Sequence, residues 1–207
     1  MIKKLSFNIV FLGLLLCILP ASFGAQKTSA FVNQSDSTQI KELLKKRDKQ
    51  IKDLVGPKGS TYTAKQKDEL KDIINGIVDY SAMARVALQK TYDTLSSSQR
   101  KEFVDTFSQV IRDQSLNKLD IYRAKITYKK IDVSGDSAFV KTTAELKNVR
   151  TPVSYTMEKQ NGKWYITDFI IDNVSTAKSY QRTFQNYLAK KGYDSLLAVL
   201  KKRISRS

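Results

Sequence analysis

The chain has 207 residues, of which 41% are hydrophobic and 10% aromatic, with only 8 glycines and 3 prolines. That is enough apolar side chain for one folded core, and it excludes collagen-like and wholly disordered chains. Histidine is absent, which removes histidine general bases, triads that need one and every metal site built on imidazole, while a formal charge of +16 points toward anionic partners.

The first 24 residues read as an export leader. Lys3 and Lys4 precede an apolar run from Ile9 to Leu19, and Ser22 and Gly24 supply the small residues for a cut near Gly24. A membrane span needs about 20 apolar residues, so the run is too short for one. The expected location is the periplasm. Cys17, the one cysteine, leaves with the leader, so the core must hold without disulfides. The remaining chain keeps a charge of +14. Nucleic acid is not an expected partner, because an exported protein meets little of it and no zinc-finger spacing, RNP-like motif or helix-turn-helix signal is present. Anionic lipid head groups or an acidic protein face fit better. Part of the charge, from Lys41 to Lys52, also reads as a solvated helix face.

Residues 25–38 are rich in Ser, Thr, Gln and Asn and read as a flexible lead-in, with structure starting near Thr38. Ile40, Leu43, Leu44, Ile51, Leu54 and Val55 then share one helical stripe that Gly56-Pro57 stops. Thr63 and Gln66 spell a capping box for a second helix, with Leu70, Ile73, Ile74, Ile77 and Val78 on its face. After a break near Gly76 and Asp79, Tyr80 to Leu88 continues helically. Ser96 and Gln99 form a second capping box, opening a helix whose buried stripe is Phe103, Val104, Phe107, Val110, Ile111 and Leu119.

Near Arg123 the apolar period changes from 3.6 to 2. Ile126 and Tyr128 alternate with polar residues, Gly135-Asp136 turns the chain, and Ala138, Val140, Thr142, Ala144 and Leu146 alternate again. Val153, Tyr155 and Met157 make a third set. Asn161-Gly162 predicts a type I′ hairpin into a strand running from Trp164 to about Ile171. Two helices close the chain, one carrying Tyr180, Phe184, Tyr187 and Leu188 and ended by Gly192, the other carrying Leu196, Leu197 and Leu200. The expected fold is α+β: one domain over residues 39–207, with helices packed on a roughly four-stranded curved antiparallel sheet. Either the interior is filled solid or the helices hold the sheet open as an apolar pocket, since both use the same residue types.

Catalysis is not expected. Ser175-Thr176-Ala177-Lys178 spells the S-x-x-K of penicillin-recognising enzymes, but no Ser-Asp-Asn or Lys-Thr-Gly follows, and Ser175 stands where a helix N-cap belongs. Asp168 reads as a structural hydrogen-bond acceptor. No paired carboxylates, phosphate-cradling glycine loop or metal-ligand spacing appears, so neither a metal nor a cofactor is expected.

The run Trp164-Tyr165-Ile166-Thr167-Asp168-Phe169-Ile170-Ile171-Asp172-Asn173-Val174-Ser175, followed by Tyr180 and Phe184 and then Gly192-Tyr193-Asp194-Ser195-Leu196-Leu197, resembles the C-terminal signature of the MlaC-type periplasmic phospholipid-binding proteins, also called the toluene-tolerance family. Leu95-Ser96, Gln99-Arg100, Phe103 and Phe107 match the start of the family's central helix, and the likeness covers about residues 40–203. In one departure, Gln181 follows Tyr180 where the family has arginine, and Arg182 comes one place later.

The resemblance implies a carrier without chemistry of its own. It would be a monomer when soluble, moving phospholipid between an outer-membrane lipoprotein complex and an inner-membrane ABC transporter complex and so keeping the outer membrane asymmetric. Two acyl chains of ordinary length represent well over about 20 kcal/mol of hydrophobic free energy, at about 0.8 kcal/mol per CH₂, which an apolar cavity must largely match. The candidate wall is Val140, Val153, Tyr155, Met157, Trp164, Ile166 and Ile171 from the strands, with Val104, Phe107, Ile111 and Leu119 from the facing helix. Which alternate face points inward is open strand by strand, because a slip of one residue inverts it. The rival reading is a solid basic adaptor domain that binds an acidic partner or membrane surface.

Overall fold

The computed structural model describes residues 26–116 and 119–205. The helices α1 (Gln26–Val55), α2 (Ala64–Asn75), α3 (Tyr80–Leu88), α4 (Lys90–Thr94) and α5 (Ser97–Leu116) come first. A 3-10 turn, Leu119–Arg123, leads into β1 (Lys125–Ser134), β2 (Ser137–Leu146), β3 (Val149–Gln160), β4 (Lys163–Ile171) and the two-residue β5 (Val174–Ser175), and α6 (Thr176–Ile204) follows. The strands lie in sequence order, each antiparallel to its neighbour, in a curved, unclosed sheet with helices packed on it. This is the expected α+β arrangement with one short strand added.

Local chemistry explains the boundaries. Both capping boxes form: Gln66 N–H donates to Thr63 and Gln99 N–H to Ser96, while each glutamine side chain accepts from the capping residue's backbone. Asp79 caps α3 by accepting from the N–H groups of Ser81 and Ala82. Asn161 and Gly162 both hold positive φ, 49° and 76°, as a type I′ turn requires. Lys147-Asn148 and Asp172-Asn173 reverse the chain with the same pair of signs but without glycine, and the second of these turns folds β5 back onto β4. The segment after α2 lies beside β4 as well, where Asp79 N–H donates to the Ile166 carbonyl and Ile166 N–H to that of Ile77.

The leader and Cys17 lie outside the described residues. Where a flexible lead-in is expected over residues 25–38, α1 begins at Gln26. Asp36 in this helix is buried and pairs at 2.7 Å with Lys159 near the end of β3. The other end of α1 is closed from a distance. The Arg123 guanidinium donates to the carbonyls of Val55, Gly56 and Pro57 and to the Tyr62 hydroxyl, satisfying groups that the helix C-terminus leaves open. Among the described residues no helix is long and apolar enough to cross a membrane.

Candidate functional site

Register decides which strand residues share a face. Val140 stands opposite Ile131 and Tyr155, Thr142 opposite Val153, Met157 opposite Ile166, Tyr155 opposite Phe169, and Val153 opposite Ile171. Strict alternation along β4 would put Ile166 and Ile171 on opposite faces. A bulge prevents this: Thr156 pairs with Asp168 and Met157 with Ile166, so Thr167 is an extra residue that restores the phase. The strand residues named as candidate wall, Val140, Val153, Tyr155, Met157, Trp164, Ile166 and Ile171, therefore lie on one face.

That face is covered unevenly. At one end Val140, Met157, Trp164 and Ile166 are buried in the core together with Phe107 and Ile111, and Val104 packs against that core half-buried. The side chain of Leu119 lies outside the described residues. The helices meet there through rings: Phe107 is T-shaped to Tyr180 at 4.9 Å and to Phe184 at 5.6 Å, and it stacks with Phe103 at 5.6 Å. At the other end Val153 and Tyr155 are half-buried, Tyr155 meets Phe169 edge-on at 6.0 Å, and Ile171 is 48% exposed. Burial pushes the Tyr155 hydroxyl up to about 12, with a hydrogen bond to Thr142 pulling the other way, and burial raises Tyr128 further. The half-buried end thus presents neutral, largely apolar surface at ordinary pH.

A cleft of about 540 Å³ begins at Ile171. One wall is Thr176, Ser179, Tyr180, Thr183, Phe184 and Tyr187 from the first arm of α6; the other is Leu196, Val199, Leu200 and Arg203 from its second arm, and Val174 of β5 completes the rim. The arms are divided by Gly192 at φ 74° and ψ 177°, where an added Cβ would meet nothing within 4 Å. Glycine is needed there for backbone conformation alone, and the bend is what lets one helix supply both walls. Each arm has its own anchor. Gln185 donates to the carbonyls of Ala87 and Leu88 in α3, while the Tyr193 hydroxyl donates to the Gln99 carbonyl and Lys201 pairs with Glu102, both in α5.

Asp168 and Ser175 set the start of the first arm. The Ser175 hydroxyl donates to the Asp168 carboxylate and accepts from Lys178 N–H, and Asp168 also accepts from Ala177 N–H at 2.9 Å. Ser175 is the N-cap, so the S-x-x-K spelling is a capping pattern in which the Lys178 backbone, at the third helical position, makes the bond. Among the described residues no group of three or more His, Cys, Asp or Glu side chains could hold a metal ion.

Of the residues singled out for a wall, Ile171 alone lines this cleft. Val153 and Tyr155 lie on the half-buried end of the sheet face beside it, while Val140, Met157, Trp164, Ile166, Phe107 and Ile111 are buried in the core, with Val104 packed against it. The α6 residues were legible only as a helix stripe, and the one signal for their second role was Gly192, a helix breaker with apolar residues on both sides.

A curved sheet with helices packed on it and a cleft at its half-covered end defines an α+β domain with a candidate ligand site. The chain belongs to the MlaC family, whose model, described as MlaC protein, matches residues 34–202. Among solved structures it is similar to the phospholipid-binding protein from Ralstonia solanacearum in complex with a phospholipid, with a TM-score of 0.70 at 18% identity, covering 82% of this chain and 97% of that one. No curated protein matches the chain.

Proposed function

We propose that the protein is a non-enzymatic phospholipid carrier of the periplasm, which takes acyl chains into the cleft and leaves the head group at its mouth. The observation that supports this most is the cleft itself, about 540 Å³ and within the usual range for ligand sites, in a chain of the MlaC family. It continues through Ile171 onto the half-buried end of the sheet face, so apolar surface extends beyond the cleft. The solved phospholipid-binding relative, which holds a phospholipid on the same fold, agrees with this reading. The deeper candidates Val104, Phe107, Ile111, Val140, Met157, Trp164 and Ile166 back the wall, and Val153, Tyr155 and Ile171 contact the chains. In the cell the carrier shuttles between an outer-membrane lipoprotein complex and an inner-membrane ABC transporter complex.

The test is organic extraction and mass spectrometry of the protein purified without detergent and washed in high salt. The expected result is about one phospholipid per chain. Lipid-free protein that also takes none from vesicles overturns the carrier and leaves a basic adaptor domain. For the shuttle, labelled lipid should pass from the loaded protein to membranes carrying the transporter complex faster than to bare membranes.

A further inference from the structure

We infer that the mouth of the cleft is a docking surface for an anionic phospholipid bilayer, and this docking does not depend on the carrier reading. Six large apolar side chains are exposed among the described residues, and three of them, Ile171, Val174 and Val199, surround this one cleft. Exposed apolar residues scattered singly are ordinary, but a group at the rim of a cavity marks a contact surface. They come from β4, β5 and the second arm of α6, so the fold rather than any run of sequence brings them together.

The charge around them has one dominant sign. Residues 171–205 carry seven lysines and arginines, of which Lys201 is paired with Glu102, against Asp172 and Asp194 in the same stretch. Arg203 lines the cleft, and Arg182 donates at 3.2 Å to Ser179, itself a lining residue. Lys178 and Lys202 are exposed beside them in sequence. Apolar side chains with Arg182 and Arg203 beside them match the two layers of an anionic membrane surface, with hydrocarbon below and phosphate above. An acidic protein face would satisfy the cations and leave Ile171, Val174 and Val199 in water. A bilayer takes both.

Co-sedimentation of the purified protein with vesicles tests the surface, using phosphatidylglycerol mixed with phosphatidylcholine against phosphatidylcholine alone. Binding is expected to the mixed vesicles and to be weak on the neutral ones. Val174→Asp with Val199→Asp should lower the partition coefficient roughly tenfold or more, and Arg182→Gln or Arg203→Gln roughly fivefold each. Val86→Asp with Val149→Asp, at two exposed residues that do not line the cleft, supplies a charge-matched control that should change little. Thermal unfolding of each variant confirms that it is folded. The docking surface is overturned by absence of binding to the mixed vesicles, by equal binding to both kinds, or by binding that the paired aspartates leave unchanged. Phospholipid found in that same protein would keep the carrier standing while the docking fails.

Discussion

The inner face of the sheet has two halves built from the same kinds of residue. Val140, Met157, Trp164 and Ile166 are buried in the core with residues of α3, α5 and α6 and are closed off from water; Val153, Tyr155, Phe169 and Ile171 continue the same rows and are left half-covered. Strand composition does not distinguish them. What differs is the cover: the closed end belongs to the core shared with α3, α5 and α6, while Ile171 at the other end opens onto the cleft between the arms of α6. The closed half should therefore govern stability and the open half ligand retention, and substitutions can separate the two.

Phe107→Ala, which empties the centre of the ring cluster, is expected to cost about 3–5 kcal/mol of unfolding free energy in a denaturant titration. Lys159→Met leaves the Asp36 carboxylate buried without its cation and should cost about 3 kcal/mol by the same measurement; a neutral result would mean that the front of α1 contributes little to the fold. Asp168→Ala removes acceptors from Ser175 and Ala177 and should cost about 1–2 kcal/mol, whereas Ser175→Ala should cost about 1 kcal/mol and leave bound phospholipid unchanged. Hydrolytic activity lost in Ser175→Ala would overturn the non-enzymatic reading. Ile171→Asp completes the series: its side chain is already half in water, so the stability change should stay below about 1 kcal/mol while lipid content falls. An Ile171→Asp protein that keeps its lipid would break the division between the halves.

Alkaline pH tests both halves at once. Tyr155 in the open half keeps its proton to about pH 12 when folded, and burial raises Tyr80 in the closed half further still. An unfolded tyrosine ionises near pH 10, so unfolding releases protons above that point. Stability from these groups is complete below pH 10 and is lost as pH rises toward their folded values. Denaturant midpoints between pH 9 and 12 should fall above 10, and Tyr155→Phe should make that fall shallower.

Much of the architecture was legible because it depends on local chemistry. The change of period near Arg123 separates helices from sheet, Thr63-Gln66 and Ser96-Gln99 announce two helix starts, and Asn161-Gly162 locates a hairpin. Contacts between distant residues were not legible. Residues 26–38 are too polar to advertise a helix, and the pairing of Asp36 with Lys159 spans more than a hundred residues. The extra residue Thr167 cannot be told from ordinary alternation, although it alone keeps Ile166 and Ile171 on one face. The cleft was the least legible, because Tyr180, Leu196 and Leu200 obey a helical period that fits a closed core equally well, and only the bend at Gly192 turns their helix into two walls.

The separate anchors of those walls make the cleft a lever. The first arm is bonded through Gln185 to the last carbonyls of α3, just before Gln89 takes a positive φ of 51°, and the second is bonded through Tyr193 and Lys201 to α5. Anything that spreads the arms would load the bonds to α3 and to α5 separately. A pair of fluorophores on those two helices would then report whether the cleft is loaded without touching the cleft.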